Sequence, residues 1–257
     1  NKVTRGSRRW IDLGIITIQP TEVIKPWLML NIATTSAPIT HLIPVFIIIL
    51  QPDLGSAIST LFLLSPILLY NKKFFQLTLL GLIVFMFLSP LIWKFDLHDY
   101  QKNRVIHFLN PSLDPLGKGY NVIQSKIAIG SGGFWGKGYK KGTQGQLLFL
   151  PEKHTDFMFA STAEELGIFG VSLIIFAYYL IIGGLIEKAY ATSNRIIFIF
   201  TLGIAIQIWL QSLINIGMNL GLLPVTGIPL PFLSVGGSSL IAYLFSLGVI
   251  FSDYWEF

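Results

Sequence analysis

Four stretches of this chain run for about 20 residues without a charged side chain, the length an α-helix needs to cross a hydrocarbon layer. They are Phe74–Trp93, Leu166–Ile186, Ile196–Met218 and Ser234–Ser252. Only 12% of the 257 residues are charged, about half the share of an ordinary soluble domain. Two shorter apolar runs, Ile39–Leu50 and Leu54–Tyr70, flank the polar knot Gln51-Pro52-Asp53, and another begins near Glu22 and reaches about Ala37. The expected fold is therefore an all-α polytopic membrane protein with about seven transmembrane helices, one membrane domain over residues 1–257. The chain opens at Asn1 rather than Met, so the N-terminus reads as a cut edge with earlier spans missing. It contains no Cys, which excludes thiolate chemistry and disulfides.

Charge sets the expected orientation. Short basic connections at Tyr70–Phe74, with Lys72 and Lys73, and at Glu187–Arg195, with Lys188 and Arg195, belong on the cytoplasmic side. Alternation then puts Asn1–Gln19, Lys94–Asp156 and Gly221–Leu233 outside and the C-terminus inside. Lys94–Asp156 holds nine Lys and Arg against five Asp and Glu, yet long loops translocate largely regardless of charge.

That loop is too long for a bare connector, and long loops on rigid scaffolds usually carry function. Nine glycines lie in it, many within Gly130–Tyr139 beside Phe134 and Trp135. Glycine lets backbone approach a ligand closely, and such aromatics suit headgroup depth. Tyr120–Ile129 reads as a short interfacial helix with Val122, Ile123, Ile127 and Ala128 on its apolar side. The surplus lysines either solvate the loop or meet an anionic lipid headgroup such as a diphosphate.

An acid, a base, an imidazole, a hydroxyl and a second acid crowd into Glu152-Lys153-His154-Thr155-Asp156, just before a long apolar span. Asp156 at that boundary is either the helix N-cap or a partly desolvated carboxylate suited to base work, and the two roles are compatible. Glu164 and Glu165 fall two turns into the span, where acids are costly and usually face a cavity or a partner. Helical spacing would let Asp156 and Glu164 line one groove. Alternatively Glu164 forms a structural ion pair, with Lys25, Arg104 or Lys126 as candidates. The Gln51–Gly55 segment breaks a helix at Pro52. The histidines His41, His98, His107 and His154 have no metal-ligand spacing, and no phosphate-loop, serine-elbow or zinc pattern occurs.

Together these residues resemble the SEDS family (shape, elongation, division and sporulation), the RodA and FtsW proteins of bacterial cell-wall synthesis. The matching strings begin with Gly6-Ser7-Arg8-Arg9-Trp10, Gln19-Pro20-Thr21-Glu22 and Gln51-Pro52-Asp53-Leu54-Gly55. They continue through Asn110-Pro111, Asp114-Pro115-Leu116-Gly117, Gly119-Tyr120, Gln124-Ser125 and Ile127–Gly133. Pro151-Glu152, His154-Thr155-Asp156-Phe157 and Ala163-Glu164-Glu165-Leu166-Gly167 follow, then Asn215 and Pro224–Ser239. Thr21, Lys153 and Val235 depart from the usual residues without removing a charged motif position.

The resemblance implies about ten transmembrane helices in whole members, with Lys94–Asp156 as one large extracytoplasmic loop. It implies a peptidoglycan glycosyltransferase of the bacterial inner membrane that polymerises lipid II onto a nascent glycan strand, with a class B penicillin-binding protein as partner and no nucleic acid. Asp156 corresponds to the proposed catalytic aspartate, with Glu164 supporting. Arg104, Lys118, Lys126 and Lys137 are candidates for the diphosphate, and Gln124, His154 and Thr155 for other substrate contacts. A divalent cation, Mg or Mn, could accompany the diphosphate; the sequence itself argues no metal. Asp114–Gly117 and the compact end at Phe257 favour a RodA-like, elongation role. A lipid II flippase and a non-catalytic scaffold are the alternatives.

Overall fold

The computed structural model describes residues 2–4, 7–12, 17–34, 42–50, 54–70, 119–147 and 149–252, with residues 72, 75, 76, 79, 80 and 87. Most of the expected span Phe74–Trp93, the knot Gln51–Asp53 and all of Lys94–Lys118 lie outside the described residues.

The N-terminal segment departs from the all-α expectation. Strands β1 (Lys2–Thr4), β2 (Ser7–Asp12) and β3 (Thr17–Ile18) form an antiparallel sheet in that order, with Ile11 opposite Ile18 and Asp12 opposite Thr17. Val3, Trp10, Ile11 and Thr17 are residues that favour a pleated, half-buried surface. Among the described residues the regular elements after it are helices: α1 (Pro20–Thr34), α2 (Leu42–Leu50), α3 (Leu54–Phe62), α4 (Ser65–Tyr70), α5 (Tyr120–Gly132), α6 (Thr143–Gln146), α7 (Met158–Ala191), α8 (Arg195–Asn219) and α9 (Gly237–Ile250).

Among the described residues, α7 and α8 are long and apolar enough to cross a membrane. The expected Leu54–Tyr70 span is divided between α3 and α4 by a turn at Leu63–Leu64. In the expected Ser234–Ser252 span only Gly237–Ile250 is regular helix. Pro66, which has no backbone N–H to donate, follows the turn between α3 and α4.

The two long helices play different parts. In α8, 67% of the most apolar window is buried; in α7, 11%. Helix α8 is thus the central post, touching α1, α3, α4, α5, α7 and α9. Its Ile199, Phe200, Ile204, Ala205 and Ile208 join Met29 and Ile32 of α1 and Tyr243 and Ile250 of α9 in the main core. Gly203 lets α1 come close, because a Cβ there would meet Met29 Sδ at 2.3 Å. The turn between α7 and α8 is closed by Asn194, whose side chain caps α8 by accepting from Ile196 N at 2.9 Å. Within α1 the buried Glu22 and Lys25 pair at 2.5 Å, an arrangement expected of charges taken into an apolar bundle.

The chain around Gln19, residues 154–156 and residues 228–238 come together near the C-terminal end of α8 and the N-terminal end of α9. Gln19 N donates to Ser238 Oγ at 2.9 Å. Residues 154–156 bond to 234–235 and to the C-terminal turns of α8.

Candidate functional site

The site is built where a short turn is clamped to the end of α8. Residues 151–157 form consecutive turns between Leu150 and Phe157, both buried and packed with Ala128 and Ala160. Inside the segment, Thr155 N and Phe157 N donate to Glu152 O at 3.2 and 3.1 Å. Three successive carbonyls then reach outward. His154 O accepts from Val235 N at 2.8 Å, Thr155 O from Ser234 Oγ at 2.6 Å, and Asp156 O from Nδ2 of both Asn215 and Asn219 at 3.0 Å. The turn is thus held to the end of α8 and to residues 234–235 through its backbone carbonyls.

Asp156 is only 7% exposed. Its Oδ2 faces Gly227, where a Cβ would lie 3.7 Å away. Gly227 has φ +73°, a conformation that suits glycine. Asn215 Nδ2 also donates to Ile228 O at 2.8 Å, fixing this loop against the same turn. From the other side Gly55 of α3 presses on it, since a Cβ there would come within 2.9 Å of Thr226 O. The helix N-cap is Phe157, one residue beyond Asp156, so the capping role expected of Asp156 falls to the wrong position.

The basic candidates divide. Lys126 is exposed on α5 and lies over Gly221, whose Cβ would meet its Cε at 2.2 Å. The neighbouring Ser125 turns inward and donates to Asn219 O at 2.7 Å, so α5 hangs Lys126 on the loop that Asp156 faces further along. Gln124 is half-buried on the same helix. The face of α5 buried within the protein is Val122, Ser125, Ala128 and Gly132, while Ile127, expected on the apolar side of the helix, is 45% exposed. His154 is exposed, and Thr155 Oγ1 donates to Glu152 Oε2 at 3.0 Å. Arg104 and Lys118 lie outside the described residues.

Glu164 belongs to a different cluster. It is fully buried and accepts from Lys137 Nζ at 2.7 Å, Thr143 Oγ1 at 3.0 Å, Gln144 N at 3.1 Å and Gly145 N at 3.3 Å. Its described basic partner is thus Lys137 rather than Lys126 or Lys25, which is taken by Glu22; Arg104 lies outside the described residues. The groove expected to join Asp156 and Glu164 is also corrected. Helix α7 begins only at Met158, so helical spacing does not apply from Asp156, and the two carboxylates face different loops.

The glycine-rich loop explains why the second cluster exists. Helix α7 is broken at Gly167, with φ 65° and ψ −165°, a conformation essentially reserved for glycine. Residues 133–138 fill the break with backbone. Lys137 N donates to Glu164 O at 3.0 Å and Gly138 N to Glu165 O at 2.9 Å, while Ile168 N and Phe169 N donate to Gly133 O and Phe134 O at 3.0 and 3.2 Å. Gly132 and Gly136 permit this approach, because a Cβ at either would lie 2.0 or 2.2 Å from a carbonyl oxygen of α7. The glycines expected to admit a ligand instead admit a helix. Lys153 Nζ, donating to Gly145 O at 2.7 Å, connects this assembly to the Asp156 turn.

Sequence reasoning missed Asn219. The available signal was Gln207, Gln211, Asn215 and Asn219, amides spaced by four along an otherwise apolar helix. Among the described residues no three His, Cys, Asp or Glu side chains converge to hold a metal.

Comparison with known proteins follows the whole length of this arrangement. The sequence model of the FtsW/RodA/SpoVE family, described as cell cycle protein, matches residues 1–253. The peptidoglycan glycosyltransferase MrdB of Escherichia coli K12 is 40% identical over 97% of this chain and 71% of its own. A probable peptidoglycan glycosyltransferase FtsW of Coxiella burnetii is 36% identical over 99% and 73%. Among solved structures, a chain of a peptidoglycan synthase complex that coordinates polymerization and crosslinking superposes with a TM-score of 0.79 at 35% identity, over 97% of this chain and 73% of that one. An aspartate-to-alanine mutant of the rod shape determining protein RodA of Thermus thermophilus gives 0.63 at 27% identity, over 97% and 70%.

Proposed function

Because this chain belongs to the FtsW/RodA/SpoVE family of cell-cycle proteins, we infer that it is a RodA-like peptidoglycan glycosyltransferase, a membrane enzyme of cell elongation. Its substrates are lipid II and the growing glycan strand, handled on the extracytoplasmic face of the bacterial inner membrane. A class B penicillin-binding protein works beside it to crosslink the product.

The observation that carries the mechanism is the clamped turn at 154–156. Its carbonyls are all used for positioning, and its one carboxylate, nine-tenths buried, stands at the start of a spanning helix. Asp156 is the general base. The acceptor's GlcNAc 4-hydroxyl loses its proton to the Asp156 carboxylate as the oxygen attacks the anomeric carbon of the donor's MurNAc. The C–O bond to the diphosphate breaks, and undecaprenyl diphosphate leaves with the electron pair. An α-linked donor becomes a β-1,4 bond in one displacement, so no second carboxylate is needed as nucleophile. Cations then neutralise the departing diphosphate. Lys126 on α5 supports this reading by lying over Gly221, at the start of the loop that Asp156 faces, and Arg104 and Lys118 are further candidates. Lys137 and Glu164 fix the loop rather than touch the sugar. A divalent ion would arrive on the diphosphate; the described side chains supply no cluster to hold one, and no step depends on it.

The polar interior keeps lipid II translocation as the second reading, since Glu22, Lys25, Gln207 and Gln211 are all buried among the helices. The deciding experiment is lipid II polymerisation by the full protein and its penicillin-binding partner in liposomes, with Asp156→Ala compared at matched folding. Strands from wild type and none from the variant support the base. Equal polymer from both removes Asp156, and lipid II crossing without polymer moves the assignment to translocation.

A further inference from the structure

The loop that fills the break in α7 also presents aromatic side chains to its surroundings. Phe134, Trp135 and Tyr139 are 57%, 74% and 73% exposed. The Trp135 ring packs edge-on to Phe134 at 4.9 Å and lies 5.9 Å from Phe169. Phe169 is in the first turn after the break, where the uninterrupted apolar part of α7 begins. This depth is where Trp and Tyr collect in membrane proteins, with an apolar body and a polar rim. Lys140 and Lys141 follow directly. Both are exposed, neither forms an ion pair among the described residues, and Lys140 Nζ sits 5.4 Å from the centre of the Tyr139 ring. Lys140 is held with φ +58° by its backbone N–H donating to Glu165 Oε2 at 3.1 Å.

We propose that residues 134–141 form a docking surface for anionic glycerophospholipid headgroups, with Phe134 and Trp135 seated in the interface and Lys140 and Lys141 on the lipid phosphates. Aromatic rings beside unpaired lysines at the end of a span match a negatively charged bilayer surface in both depth and sign. The loop is locked to α7 by four backbone hydrogen bonds and linked to the Asp156 turn through Lys153 and Gly145. Headgroup binding therefore sets the height of that turn above the bilayer. The proposal concerns bulk lipid and stands whether or not Asp156 is the base.

These 257 residues contain no Cys, so single-site spin labelling needs only the replacement of any Cys elsewhere in the full protein. Trp135→Cys and Tyr139→Cys, with Ile175→Cys as a mid-span reference, are labelled in the full protein in phosphatidylcholine vesicles with rising phosphatidylglycerol. Oxygen and nickel-chelate accessibilities give depth by electron paramagnetic resonance. Labels at 135 and 139 are expected at headgroup depth, with the label at 139 becoming immobilised as phosphatidylglycerol is added. Adding Lys140→Gln and Lys141→Gln should move that titration to about fivefold higher phosphatidylglycerol per lysine removed. Water-exposed labels at both sites would overturn the proposal. So would an unchanged titration in the lysine variant, or immobilisation by lipid II alone and not by phosphatidylglycerol.

Discussion

Asn219 uses every polar atom it has. Its Oδ1 accepts from Ala160 N at 3.1 Å, its Nδ2 donates to the carbonyls of Asp156 and Asn215, and its own carbonyl accepts from Ser125 Oγ. Replacing it by Leu leaves several buried groups without partners, each costing about 1–3 kcal/mol. Asn219→Leu should therefore lower the melting temperature and abolish polymerisation together. Asp156→Asn should separate the two. The change keeps the size of the side chain and removes its basicity, so polymerisation should fall about 10²- to 10⁴-fold, the usual worth of a general base, and by more than any accompanying loss of thermal stability explains. A large loss of stability in Asp156→Asn would make the residue structural first. The position of Asp156 at the edge of a spanning helix was legible, because acids are costly inside the apolar run that follows. Asn219 was not, because a single amide within an apolar run names no partner; only its spacing from Asn215 and Gln211 hints at a face.

At the scale of elements, the break in α7 is the feature most worth perturbing. Gly167→Ala puts a side chain where φ is positive, a strain of about 1–3 kcal/mol, and its Cβ would lie 2.4 Å from Gly136 N. Gly136→Ala meets the same obstacle from the other partner, 2.2 Å from Glu165 O. Both variants are expected to expose the 133–138 loop to limited proteolysis while α8 stays protected; unchanged cleavage would mean the contact is dispensable. Lys137→Met strands the buried Glu164, which should destabilise the loop by about 1–3 kcal/mol, read as a lower melting temperature. The sequence suggested an unbroken span here because Leu166–Ile186 is uniformly apolar. What breaks it is backbone from an earlier loop, and hydropathy carries no information about such a partner.

Over the whole molecule, apolar run length alone revealed the membrane character and the two long helices, because a bilayer imposes one length on every span. It did not reveal the small sheet at residues 2–18 or the shortness of α9, where local backbone preferences and tertiary bonds decide. Nor did it reveal that Gly55, far away in sequence, backs the loop facing Asp156. Gly55→Val should push Thr226 and lower polymerisation markedly with little change in how lipid II binds; wild-type turnover would separate the two ends of the chain functionally.

The fastenings described above also differ in when they become possible during synthesis. Residues 133–138 leave the ribosome before the helix break they fill, so that joint can close as soon as Gly167 has emerged. The Asp156 turn must wait for Asn215, Asn219, Ser234 and Val235, all made later. The chain thus carries a built-in delay in which its membrane anchor is finished while its carboxylate is still unplaced. A nascent chain stalled shortly after Ala191 should already protect 133–138 from protease and leave 150–157 open to it, and protection of the turn should arrive only once Val235 has been added.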